Sequence, residues 1–229
     1  MAINIKSAKT INLQNGINCL VSGKSGLGKT YLASTAPTPL VISVEGGMLS
    51  LNQHDIDVVE CTNLDQIKEV YQFVSESKDA DKYQTVVLDS VSEIAEIMLS
   101  EYTAKVSDNR QAYMRLNQDM VKLIRSFRDV SKNVYFIAKE GAIADESTGI
   151  IKYGPIMPGK ALTNGLPFYF DEVMALRIKD AEGDKPSYRY LQTQPCNQYH
   201  AKDRSGRLNA IEKPDLTAIF NKIKSDKKG

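Results

Sequence analysis

The chain has 229 residues, 42% of them hydrophobic and 25% charged, with 29 basic against 28 acidic side chains and a formal net charge of +1. That length and apolar content suffice for one substantial core. The charge balance excludes both a disordered chain and a dedicated polyanion binder. Contact with nucleic acid therefore requires a local basic patch.

The cysteines Cys19, Cys61 and Cys196 are scattered and odd in number. They suit neither a disulfide framework nor a zinc site, and point to reduced thiols in the cytoplasm. The opening MAINIKSAKT has no long apolar region of a secretory signal, and no apolar run reaches the length of a membrane span, so no membrane partner is expected. The lysine-rich end, KSDKKG, predicts a disordered, solvated tail over 225–229.

In chain order, a short N-terminal arm (1–16) precedes the buried strand INCLVSG at 17–23. Ile3 and Ile5 alternate in that arm as a short docking strand would. A helix from Lys29 must stop before Pro37. PLVISVE (39–45) is a second strand. A helix capped by Asn63 then carries Leu64, Ile67, Tyr71 and Val74 on one face. TVVLD (85–89) is a third strand, and Ser90-Val91-Ser92-Glu93 reads as a capping box opening a helix with Ile94, Ile97, Met98 and Tyr102 inward. A long helix with Leu116, Met120, Leu123, Ile124 and Phe127 on one stripe leads to a fourth strand, VYFIA (134–138). Strand and helix in alternation predict a mostly parallel sheet covered on both faces. The stretch 139–169, rich in Gly, Pro, Asp and Thr, reads as one or two long loops. EVMALRI (172–178) and SYRYLQTQ (187–194), separated by KDAEGDKP, predict a C-terminal antiparallel hairpin, and a helix over about 215–224 closes the chain.

The strongest motif is Gly23-Lys24-Ser25-Gly26-Leu27-Gly28-Lys29-Thr30, which fits G-x-x-x-x-G-K-[ST] after an apolar strand and at a helix start. Glycines let successive backbone N–H groups wrap a phosphate. Lys29 is placed to reach the β- and γ-phosphates of ATP, and Thr30 to offer its hydroxyl to Mg²⁺. Asp89, at the tip of TVVLD, supplies the carboxylate of a Walker B magnesium site. His54 and His200 lie in unrelated segments and offer no metal cluster.

In order along the chain, GKSGLGKT, VISVEGG, VVLDS, YGPIMPGKAL, FDEVMAL, LQTQP and AKDRSGRL resemble the phage AAA-type nucleotide-binding proteins. These are the core-only, RecA-like group that includes single-strand annealing proteins. The resemblance runs from about residue 16 to 220. It implies a single RecA-like P-loop ATPase domain over the chain, with ATP and Mg²⁺ as cofactors. It also implies a protein of the host-cell cytoplasm that binds single-stranded DNA and promotes annealing or strand exchange in phage homologous recombination.

The position after Asp89 is Ser90, so the base that AAA+ and ABC proteins carry there is absent. RecA-like proteins take that Glu from the strand after the P-loop helix. The resemblance thereby assigns Glu45 to polarise the attacking water, with Glu93 as competitor. It equates Lys202 and Arg204 with a pair reaching the γ-phosphate of a neighbouring subunit, so a homo-oligomer with active sites at its interfaces is expected. Strand alternation would point both to one face. Residues 140–165 correspond to a DNA-binding loop with Lys152, Tyr153 and Lys160 as its contacts, and a single-strand DNA-binding protein is a further expected partner. Lys139 stands where the family has a Gln or His γ-phosphate sensor. Two other readings stay open: a nucleotide-switched assembly or partner-binding protein with little DNA affinity, and a small-molecule kinase, which lacks its Arg-rich lid here.

Overall fold

The structure is a computed structural model that describes residues 16–144 and 149–225. The expected arm up to residue 15, with Ile3 and Ile5, and the tail from residue 226 lie outside the described residues.

The elements run β1 (Asn18–Ser22), α1 (Lys29–Leu32), β2 (Pro39–Ser43), β3 (Asp57–Glu60), α2 (Leu64–Glu76), β4 (Thr85–Asp89), α3 (Val91–Thr103), α4 (Asn109–Arg128) and β5 (Asn133–Ala138). They continue with β6 (Glu140–Ala144), β7 (Ile151–Pro155), α5 (Lys160–Gly165), β8 (Glu172–Lys179), β9 (Tyr188–Gln192), β10 (Lys202–Asp203), β11 (Ile211–Glu212) and α6 (Leu216–Lys224). The main sheet has the order β11-β9-β8-β1-β5-β4-β2-β3, with β10 added against β8. From β8 to β3 every neighbouring pair is parallel. β9, β10 and β11 join antiparallel, so β8 and β9 form the expected C-terminal hairpin. The chain thus forms the anticipated α/β core, a mostly parallel sheet flanked by helices.

Alternation along each strand builds two cores from one sheet. Leu20, Ile42, Leu88 and Phe136 pack on the face covered by α2, α3 and α4, where Phe136 meets Phe170 edge to face at 4.8 Å. Val21, Val41, Val87 and Tyr135 pack on the other face, with Leu32, Ile219 and Phe220. Helix α2 begins where Asn63 accepts a bond from the Gln66 N–H, as its cap position requires.

Several expectations change. The segment 139–169 is not a long loop. β6 and β7 pair as a second, antiparallel sheet, and α5 follows. Its glycines mislead because at least one serves packing: a Cβ on Gly154 would come within 2.9 Å of the His200 side chain. The DNA-binding loop proposed for 140–165 is therefore a hairpin and a short helix, apart from 145–148, which lie outside the described residues. The strand expected over 39–45 ends at Ser43, leaving Glu45 beyond it. Periodicity predicts nothing at Asp57–Glu60, where β3 pairs with β2 through only two apolar residues. The helix after Lys29 is a single α turn, continued by a 3₁₀ turn over Ala33–Thr35.

Candidate active site

The parallel strands all point their C-terminal ends to one edge, and ligands of open α/β sheets gather at such an edge. There Gly23–Thr30 leave β1, Glu45 follows β2, Ser90 follows β4, and Lys139 and Glu140 follow β5. Together they line a cavity of about 490 Å³. Gly28, at φ 95°, occupies the left-handed backbone region that favours glycine. Beneath it the buried Tyr135 hydroxyl donates to the Lys29 carbonyl at 2.8 Å, tying the loop to β5.

Lys29 Nζ donates to the carbonyls of Gly23 at 2.7 Å and Lys24 at 3.1 Å, so the loop itself holds the ammonium over its own mouth. Burial lowers the pKa of Lys29, while Asp89, Glu45 and Glu140 pull the other way. The Thr30 hydroxyl donates to Asp89 Oδ2 at 2.5 Å. Asp89 is only 3% exposed, and burial raises its pKa in spite of that bond. Ser90 Oγ donates to Glu45 Oε1 at 2.5 Å. Leu27 and Ser25 belong to the same loop, Leu27 leaning on the second core and Ser25 facing the cavity.

A cation fits here through one hydroxyl and one carboxylate. Among the described residues no group of three or more His, Cys, Asp or Glu gathers as a protein-only metal cage. Hard oxygen donors that leave most coordination positions to phosphate and water suit Mg²⁺.

Lys139 sits at the cavity wall but is tethered to α3. Its Nζ donates to Glu93 at 2.7 Å and Glu96 at 2.8 Å. Burial opposes its charge, yet these bonds raise its pKa to about 12. Glu93 is accordingly spoken for by Lys139. Only half of the capping box forms, with the Glu93 N–H donating to Ser90 Oγ at 3.2 Å. Glu140 is a cavity residue that no motif marks. It forms a buried ion pair with Arg177, whose guanidinium also lies over the Tyr199 ring at 3.8 Å. The available signal is Arg177 itself, a charge within the apolar strand EVMALRIK that demands a carboxylate partner.

The remaining expected site residues lie elsewhere. β10 covers only Lys202 and Asp203, so strand alternation does not extend to Arg204. The chain turns there because the Asp203 carboxylate accepts from Ser205 Oγ and from the N–H groups of Gly206 and Leu208. Lys202 Nζ donates to the Pro167 carbonyl at 2.8 Å, and Arg204 pairs with Asp171 at 2.8 Å. Both stand at the start of β8, the end opposite the P-loop. The β1–β8 register, Cys19 against Glu172 to Ser22 against Ala175, puts that loop on the order of 13 Å away. Lys152 and Tyr153 are consecutive on β7, and Tyr153 is 42% exposed beside the Tyr199 ring. Lys160 opens α5, separately from them. The His54 ring meets Tyr31 edge to face at 5.4 Å, and the His200 N–H donates to the Tyr153 carbonyl. Among the described residues no helix is long and apolar enough to cross a membrane.

A family profile described as an AAA domain matches residues 15–205. Among solved structures, a KaiC-like protein from the hyperthermophilic archaeon Pyrococcus horikoshii aligns at 15% identity over 77% of each chain, with a TM-score of 0.41. The flagellar accessory protein FlaH from Methanocaldococcus jannaschii aligns at 11% identity over 78% of each chain, with a TM-score of 0.46. No curated protein matches the sequence.

Proposed function

The chain belongs to the AAA domain family, and on that premise we propose that it is a Mg²⁺-dependent P-loop ATPase that binds single-stranded DNA and promotes annealing or strand exchange. The observation that carries the ATPase reading is the convergence of Lys29, Thr30, Asp89, Glu45 and Ser90 on one cavity. In this reading Lys29 leaves the Gly23 and Lys24 carbonyls for the β- and γ-phosphates. Thr30 and Asp89 would hold the cation, and Mg²⁺, when bound, would supply neutralisation of charge on the phosphates. Glu45, oriented by Ser90, takes the proton of the attacking water. Lys202 and Arg204 act on the phosphates of a second copy.

The DNA reading is supported by the β6–β7 hairpin, which starts at Glu140 on the cavity wall and presents Lys152 and the half-exposed Tyr153 ring. Aromatic stacking and a cation are the elements of sequence-tolerant single-strand binding. One observation favours the alternative of a nucleotide-switched assembly protein. Among its described residues the hairpin carries a single basic side chain, Lys152, beside the exposed Ile150 and Ile151. ATP turnover with and without single-stranded DNA, at several salt concentrations, separates the two readings. Salt-sensitive stimulation supports DNA binding, and an unchanged rate favours assembly. Lys29→Ala tests the shared premise: it should abolish nucleotide binding or turnover while the circular dichroism spectrum is retained. Full turnover by that variant overturns the ATPase reading.

A further inference from the structure

Between α2 and α4, with α3 beneath, lies a groove of about 320 Å³ that shares no residue with the cavity around the P-loop. Ile67, Met98 and Phe127 are buried at its base. Leu64, Tyr71 and Leu123 form its walls. All three belong to the apolar stripes that the sequence directs inward, yet they are only half buried. Tyr71 and Phe127 meet edge to face at 5.3 Å, which ties wall to base. An inward stripe that its own chain covers only in part marks a surface for one more layer. From Arg115 to Phe127 the groove follows α4 for on the order of 18 Å, a little over three helical turns.

Charge decides what that layer is. α4 carries Arg110, Arg115, Lys122, Arg125 and Arg128 against the single acid Asp119, although the whole chain has a net charge of +1. Arg115 and Lys122 line the groove, and Lys68 joins them from α2. All three side chains are more than half exposed. Asp119, the one acid in the lining, is used on both oxygens. Its Oδ2 accepts from the Tyr102 hydroxyl at 2.8 Å and its Oδ1 from Lys122 at 3.4 Å. Arg115 Nε stands 3.6 Å from Asp119, beyond hydrogen-bond reach, and its guanidinium lies over the Tyr102 ring at 4.6 Å. Lys68 pairs with the exposed Asp65, outside the groove.

Three cationic tips around an apolar floor complement a segment that is apolar along one side and acidic at its flanks. The end segments of this chain lack that chemistry. Residues 1–15 carry Lys6 and Lys9 and no acid, and 226–229 carry Lys227 and Lys228 against Asp226. We propose that the groove between α2 and α4 docks an acidic, amphipathic helix of a partner protein. Its apolar side chains lie on the floor, and its carboxylates meet Lys68, Arg115 and Lys122.

The test is selection of a displayed library of random peptides, about three helical turns long, on the full chain, followed by anisotropy titration of the enriched sequences. These should carry Asp or Glu flanking apolar residues spaced i, i+3, i+4 and i+7, and replacing the apolar residues by Ser should abolish binding. Arg115→Glu combined with Lys122→Glu should weaken the peptides by about 10-fold or more at low salt. The same peptides rewritten with Lys for their acids should bind that reversed protein and not wild type. Arg115→Gln with Lys122→Gln, which removes charge without crowding Asp119, should give a smaller loss in the same direction. Both side chains are exposed, so melting temperatures should stay near wild type. Enriched peptides without an acidic bias overturn the proposal, as do wild-type affinity in the reversed protein and a library that yields no binder. Self-association of wild type that the reversal abolishes would assign the groove to a second copy, and overturns it equally.

Discussion

The Ser90 hydroxyl donates to the Glu45 carboxylate at 2.5 Å, joining the ends of two neighbouring strands. Register explains the meeting: Ser43 pairs with Asp89, so the residues just beyond each strand end are brought side by side. Ser90 also accepts the Glu93 N–H as the cap of α3, which fixes its position from the other direction. Glu45 is exposed to the cavity yet oriented by a partner that the helix start holds still.

That arrangement predicts that Glu45→Gln binds ATP and Mg²⁺ but hydrolyses slowly, by about 10²- to 10⁴-fold, the usual worth of a positioned base. Glu93→Gln should turn over close to wild type, because Glu93 serves Lys139 instead. Steady-state ATPase rates decide. A dead Glu93 variant beside an active Glu45 variant would transfer the base to Glu93.

Asp89 sets function against stability. Burial raises its pKa even though Thr30 donates to it and Lys29 lies near, while Glu45 adds repulsion. A carboxyl whose pKa is raised on folding costs stability once it is ionised. Asp89→Asn should therefore raise the melting temperature of the ligand-free protein at neutral pH, while Mg²⁺-dependent turnover is lost. A lower melting temperature for the variant would mean that the carboxylate is chiefly a structural anchor for Thr30.

Glu172 gives a pH forecast at the far end of the sheet. It is fully buried, and one of its carboxylate oxygens has no partner. Burial, followed by repulsion from Asp203, raises its pKa from 4.5 to about 8. Between those values the folded chain binds more protons than the unfolded one, so stability falls as pH rises through that window. Glu172→Gln should flatten the fall. Melting temperatures of both proteins from about pH 5 to about pH 9 test this. An equal decline in the variant would locate the effect in another group.

The loop from Gly23 to Thr30 is legible because its chemistry is contiguous, and Asp89 because an apolar run ends on a charge. Glu45 is legible only through resemblance, since it lies beyond the end of β2, with Val44 between them. The Glu140–Arg177 pair is hidden by its sequence separation of 37 residues. The β6–β7 hairpin is hidden because Gly154 looks like loop punctuation, when its lack of a side chain lets His200 approach. Long-range complementarity of this kind leaves no local pattern. In each case the missing information is the identity of the spatial neighbour.

The last prediction concerns Lys202 and Arg204. Arg204 is 57% exposed and bonded to Asp171, and Lys202 caps the Pro167 carbonyl. Burial, then the nearby Arg204, lowers the pKa of Lys202, while the Asp171 and Glu172 carboxylates oppose that shift. They stand at the end of β8 away from the loop of their own chain, so a phosphate that they serve belongs to another copy. If they do so, turnover per subunit should rise with protein concentration as copies associate. Arg204→Ala should be weak alone. Mixed with Lys29→Ala, itself inactive, it should regain activity, because one interface of the mixture pairs an intact P-loop with an intact arginine. An arginine supplied in this way is worth about 10³- to 10⁵-fold in rate, so partial rescue would stand clear of background. Releasing Arg204 by Asp171→Asn should leave that rescue in place, since the bond to Asp171 is one that the arginine must exchange for phosphate. Two results would count against a shared site: turnover independent of concentration in a protein that sediments as a monomer, or mixtures that never exceed the sum of their parts. Either would reduce the pair to a basic turn whose charges are already spent on Pro167 and Asp171.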